Sequence, residues 1–171
     1  MPIRIRRAAL ADAKIIADFN SAMARETEHL NLDRKRLLRG VTMLLEDASK
    51  GYYILAEIDG SIAGQLMITY EWSDWRAAMF WWIQSVYVAP EFRGSGVFSQ
   101  LFHYVKRDAR KKKSVCGMRL YVERGNTRAK RTYEHLGMKH ANYGMYEIDF
   151  VIKRSESRQR IARNELGSVK I

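Results

Sequence analysis

Arg93, Gly94, Ser95 and Gly96 follow the apolar run Val86-Tyr87-Val88 and open onto Val97 and Phe98. A strand that turns through glycines into a helix start suits phosphate binding. Glycine lets backbone approach a ligand closely. The first amides of a helix have no intrahelical acceptor, and the helix dipole adds positive potential there. Residues Arg93 to Phe98 therefore predict a diphosphate site, with a plain glycine-capped turn as the alternative. The segment has neither the Gly-Lys-Ser/Thr of the nucleotide P-loop nor the six-position dinucleotide pattern. Further on, Asn126, Ala129 and Tyr133 are spaced by three and four residues and share one helical face. Ala129 leaves room for a ligand there, and Tyr133 aims a hydroxyl at the same space. The alternative for Tyr133 is a core residue with its hydroxyl at the surface.

These residues need elements to hold them. Ile3 to Arg6 alternates as an edge strand would. Asp12 and Asp33 are placed to cap two helices, with Ile15, Ile16, Phe19 and Met23 on the first and Leu37, Leu38, Val41, Leu44 and Leu45 on the second. Tyr52 to Ile58 and Ile62 to Glu71 flank Asp59-Gly60 as a tight hairpin. Trp72 to Arg76 reads as a loop, and Met79 to Val88 as a central strand covered on both faces. Val97 to Lys112 reads as a helix, Met118 to Val122 as a strand, and Asn126 to Leu136 as a helix stopped by Gly137. Lys139 to Tyr143 and Met145 to Ile152 suit a last hairpin around Gly144. The order predicts a mixed α/β fold with helices on both faces of one sheet. It forms a single domain over 1–152, followed by a basic tail or peripheral helix over 153–171.

The 171 residues are 47% hydrophobic and 29% charged, the composition of a globular domain. No apolar run reaches membrane-spanning length and the charged start lacks a signal peptide's apolar stretch, so a cytoplasmic protein with no membrane partner is expected. The lone Cys116 rules out an internal disulfide, and no metal site is expected. A net charge of +11 favours phosphorylated partners. It gathers in Lys106 to Lys113 and from Lys153 onward, with no recognised nucleic-acid motif.

Arg93 to Phe98 resembles the Gln/Arg-x-x-Gly-x-Gly/Ala acetyl-CoA motif of the GNAT superfamily of N-acetyltransferases, with Phe98 standing where that family has a small residue. Asn126-x-x-Ala129-x-x-x-Tyr133-x-x-x-Gly137-Met138 resembles its second motif, with Met138 in place of Phe. The resemblance spans about Ile3 to Ile152. It implies a mostly antiparallel sheet with a splayed parallel strand pair, Ile83–Val88 beside Met118–Glu123, and acetyl-CoA held in the gap as co-substrate. It implies that Arg93, Gly94, Ser95, Gly96, Val97 and Phe98 hold the pyrophosphate, with Asn126, Ala129 and Tyr133 also at the cofactor. Val86, Tyr87 and Val88 would then bond the pantetheine arm, an amide near Val86 would meet the developing oxyanion, and Tyr133 would protonate the departing thiolate. A homodimer is the family's common state.

An attacking ammonium must first lose a proton. Gln84 stands where many members carry a glutamate, and an amide cannot accept that proton at neutral pH, so Gln84 is read as a positioning group. Glu28, His29, Glu71, Asp74 and Glu123 are the candidate bases, with water relayed to solvent as the other route. Trp72, Asp74 and Trp75 combine indoles with carboxylate, which suits a cationic amine. Their order resembles the polyamine and lysine-like branch of the family. Two other functions stand beside acetyl transfer: a non-catalytic acyl-CoA-binding module, and a basic nucleic-acid binder.

Overall fold

Asp59 and Gly60 both adopt left-handed backbone, with φ of 49° and 78°, as a two-residue hairpin turn requires. They join strand β2 (Tyr52–Ile58) to β3 (Ser61–Ser73) in a computed structural model that describes residues 2–152. The remaining elements are β1 (Arg4–Arg7), α1 (Ala13–Glu28), α2 (Arg34–Glu46), β4 (Ala78–Val88), α3 (Val97–Lys111), β5 (Val115–Arg119) and α4 (Thr127–His135). One sheet runs β1-β2-β3-β4-β5. Its first three pairings are antiparallel and β4–β5 is parallel. The mixed α/β architecture expected above is the architecture found.

Strand alternation sorts the core into two layers. Ile54, Leu66, Ile68, Trp81 and Ile83 meet Leu101, Phe102 and Val105 of α3 on one face. Tyr53 and Leu55 meet Ile16, Ala17 and Val41 of α1 and α2 on the other. Leu101 has no exposed surface, and truncating such a side chain to alanine costs about 2–5 kcal/mol. No helix among the described residues is long and apolar enough to cross a membrane.

Four local expectations are corrected. Asp33 caps α2 through the Arg36 amide at 2.7 Å, but Asp12 does not cap α1. Its carboxylate accepts from the Ala9 amide at 2.7 Å and pairs with Arg6, closing a 3-10 turn ahead of the helix. Trp72 and Ser73 extend β3 beyond the expected loop because they keep partners Met79 and Ala78 on β4. The last strand forms at Val115–Arg119, earlier than expected, because that is the stretch β4 faces. Residues 139–152 form no hairpin. An alternating pattern supplies a face but no partner, and Tyr143, Tyr146 and Phe150 stand exposed. The basic stretch 153–171 lies outside the described residues.

Candidate functional site

The β4–β5 ladder stops at Trp82 opposite Arg119, while β4 runs on through Ile83–Val88 without a β5 neighbour. Its register against β3 slips in the same stretch: Met67 faces Gln84, yet Gln65 faces Tyr87. The extra residue is absorbed where Ser85 adopts φ 48°, a left-handed conformation uncommon for serine. A buried amide network lies beneath. The Gln65 Nε2 donates to Asn20 Oδ1 at 2.8 Å and to the Ser85 carbonyl at 3.4 Å. The Asn20 Nδ2 donates to the Tyr53 hydroxyl at 2.9 Å, and that hydroxyl also bonds Ser85. Buried polar groups that satisfy one another fix a single arrangement. A bulge of this kind re-aims the strand that carries it. One acceptor in the network, Gln65 Oε1, is buried without a partner.

Beyond β4, Gly94 and Gly96 have φ of 85° and 82°, which the glycine loop needs in order to turn into α3. No side chain caps α3, so its first amides keep their donors. Arg93 is committed elsewhere. Its Nε donates to the Val88 carbonyl at 2.9 Å and its Nη2 to Glu26 at 2.7 Å. Tyr87 also donates to Glu26, at 2.8 Å. The Tyr87 bond first, and Arg93 second, hold the Glu26 carboxyl below its ordinary range. Arg93 and Tyr87 thus strap loop and strand to α1. Ser95 turns its hydroxyl back to the Phe92 carbonyl, and Val97 is core.

Asn126 caps α4, accepting from the Ala129 amide at 3.0 Å. The helix brings Tyr133 against Phe98 in the first turn of α3. Burial pushes the Tyr133 hydroxyl above its ordinary range, so it holds its proton at neutral pH. The large Phe98 fills the space between α3 and α4 by packing on both Phe102 and Tyr133.

On the opposite face, Gln84 donates to the Thr69 hydroxyl and accepts from Tyr121 at 3.4 Å. Burial raises the Tyr121 hydroxyl, and the charges of Glu147 and Glu28 raise it further. Glu28, at the last turn of α1, is thereby within electrostatic reach of Tyr121, the neighbour of Gln84. Glu71 is held by the Trp82 indole and the Arg119 guanidinium. Trp72, Asp74 and Trp75 sit at the hairpin tip, where Trp75 is 86% exposed. Trp72 faces Met79, six residues before Ser85, or about 20 Å along an extended strand. Sequence reasoning missed Asn20, Gln65, Tyr53, Tyr121 and Glu147. For Asn20 and Gln65 a signal existed, since each is an amide on a face otherwise apolar.

The acetyltransferase (GNAT) family profile matches residues 15–138. A possible acetyltransferase from Clostridium difficile 630 is 46% identical, with TM-score 0.81 over 89% of this chain and 100% of its own. A predicted acetyltransferase solved with acetyl-CoA, from Clostridium acetobutylicum, is 14% identical, with TM-score 0.69 over 86% of this chain and 96% of its own. A ribosomal-protein-alanine N-acetyltransferase from Brucella melitensis biovar Abortus 2308 is 19% identical, with TM-score 0.69 over 87% of this chain and 100% of its own. The last two likenesses are of fold. No curated protein matches the chain.

Proposed function

The chain belongs to the acetyltransferase (GNAT) family, and from that premise we propose that it transfers acetyl from acetyl-CoA to the nitrogen of a primary amine by direct attack. The observation that carries the reading is the stretch of β4, Ile83–Val88, that has no neighbour on its β5 side and leads to the uncapped start of α3, where Tyr133 packs on Phe98.

Acetyl-CoA supplies an activated acyl thioester. The amides of Gly94 to Phe98 receive the pyrophosphate, and Val86 to Val88 bond the pantetheine arm as an added strand would. Asn126 and Ala129 shape the α4 side of the groove. The amine nitrogen forms its bond to the thioester carbonyl carbon while the carbonyl oxygen gains charge. The bulge at Ser85 sets the Val86 amide to donate to that oxygen. The C–S bond then breaks, and Tyr133 gives its proton to the leaving sulfur. The amine's surplus proton leaves through Glu28 or Glu147 by way of Tyr121 or water, with Gln84 orienting the nitrogen. Glu71, engaged by Trp82 and Arg119, serves the site as a structural carboxylate.

A second reading gives the acceptor further cationic centres, of polyamine or lysine-like type. It draws on the exposed indoles of Trp72 and Trp75 beside Asp74. A cytoplasmic homodimer accompanies the proposal on family grounds, and light scattering tests the dimer. The functional test is CoA release across a panel of amines, with acetyl-CoA binding followed by calorimetry. Turnover with one amine class supports transfer. Tight acetyl-CoA binding with no amine consumed would mean an acyl-CoA-binding module.

A further inference from the structure

A cavity of about 510 Å³ lies between α1, α2 and the sheet, on the same face as Gln84 and Tyr121. That volume falls within the span of small-molecule pockets, about 300–1,000 Å³. Its floor is Asn20, Tyr53 and Met67. Two of these, Asn20 and Tyr53, belong to the network that holds the Ser85 bulge. The third, Met67, faces Gln84 across the β3–β4 ladder. Through Met67 and this network the cavity floor adjoins the part of β4 that carries the proposed reaction centre. The rest of its lining is mainly apolar, from Leu37 and Leu44 on α2 to Val151 and Ile152 near the end of the described chain. Its mouth carries the exposed guanidinium of Arg36. Asp33, also in the lining, is engaged as the α2 cap at 2.7 Å from the Arg36 amide.

We propose that this cavity takes the alkyl or aromatic body of the acceptor amine, and that where the body's far end is charged it is anionic and meets Arg36. As an assignment of the acceptor, this rests on the amine-transfer reading. The ammonium enters beside Glu28, Glu147 and Tyr121, and the body lies back across Met67 toward α2. Polyamines are disfavoured, because a second ammonium would lose its hydration against leucine side chains and face a guanidinium.

Gly40 offers a clean way to test the space. It lines the cavity on α2, and a Cβ added there meets no atom within 4 Å. The experiment measures calorimetric binding of primary n-alkylamines, from ethylamine to octylamine, to the CoA-loaded full chain. It adds spermidine and an ω-amino carboxylic acid of octyl length, and runs CoA release in parallel. Affinity is expected to rise about fourfold per buried methylene in the unaltered protein. Gly40→Phe flattens that dependence while acetyl-CoA affinity and melting temperature hold. The amino acid binds better than octylamine, and Arg36→Gln removes the difference. Indifference to chain length, a series unaltered by Gly40→Phe, or preference for spermidine overturns the inference and leaves amine transfer standing. Length-dependent binding with no CoA released supports the cavity as a ligand site and removes the transfer reading instead.

Discussion

Phe98 and Tyr133 meet edge to face, with ring centroids 5.6 Å apart and planes at 71°. The contact sets the tyrosine at the α3 end of the unpaired β4 stretch, where the related motif carries a small residue. An aromatic pair of this geometry is worth about 0.5–1.5 kcal/mol beyond its buried area. Phe98→Ala is expected to lower kcat about threefold to tenfold by freeing the Tyr133 ring, and to destabilise the fold by about 2 kcal/mol through the void it leaves. Steady-state kinetics and thermal unfolding read the two effects, and an unchanged kcat would remove Phe98 from any role in positioning Tyr133.

Tyr133→Phe should reduce kcat by about 10²-fold if the hydroxyl protonates the leaving thiolate, with unfolding behaviour preserved. The sign of its pH dependence follows from burial. The hydroxyl is pushed above the ordinary value of 10.0, so the acid stays protonated through neutral and moderately alkaline pH. The kcat profile should lose no activity to this group until pH exceeds 10, and the residual activity of the phenylalanine variant should lack that alkaline fall.

Asn20→Leu takes one hydrogen-bond partner from the Gln65 Nε2 and one from the Tyr53 hydroxyl, leaving each only its contact with Ser85. Each lost bond costs about 1 kcal/mol. Because the same network bonds Ser85, kcat should fall by an order of magnitude or more with acetyl-CoA binding little altered. Denaturant unfolding and calorimetry separate the two effects. Equal losses in stability and in acetyl-CoA affinity, with kcat intact, would count against a positioning role.

Arg6 donates to Asp12 at 2.7 and 2.9 Å, and these hydrogen bonds are the main reason the Asp12 carboxyl lies below its ordinary 3.8. A depressed carboxyl contributes stability that is present above its unfolded pKa and lost as pH falls through the folded one. Asp12→Asn should therefore cost about 1–2 kcal/mol near neutral pH. Melting curves should show the gap to the unaltered protein closing as pH drops below 3.8. A gap that persists at lower pH would assign the loss to packing.

The parts legible in the sequence are those whose signal is local. Asp59-Gly60 announces its turn, Asp33 its cap, and residues 93–98 their loop, because backbone conformation and capping are decided within a few residues. Asp12 reads as a cap by the same local logic but is claimed by Arg6, six residues upstream. The Asn20–Gln65–Tyr53 contacts join α1, β3 and β2 across 33 to 45 residues, and only the assembled sheet brings them together. Glu147 lies in a stretch read as a hairpin, so its position beside Tyr121 had no local sign. The gap beside Ile83–Val88 is implied by the family resemblance and by no residue of the strand itself, and its position is set only in the assembled sheet, where the parallel pairing runs over Met79–Trp82 and β5 stops at Arg119.

Under the proposed function, that half-finished ladder would make folding a thermodynamic partner of metabolism. An acyl donor lying along Ile83–Val88 would occupy the side of β4 that β5 leaves unpaired, and only the native chain presents that side. Every molecule bound then draws the population away from the unfolded ensemble, by about 2.7 kcal/mol when the free donor is a hundredfold above its dissociation constant. A cell short of acetyl-CoA would hold this enzyme in its less durable form, and the abundance of the protein would follow the supply of the group it transfers.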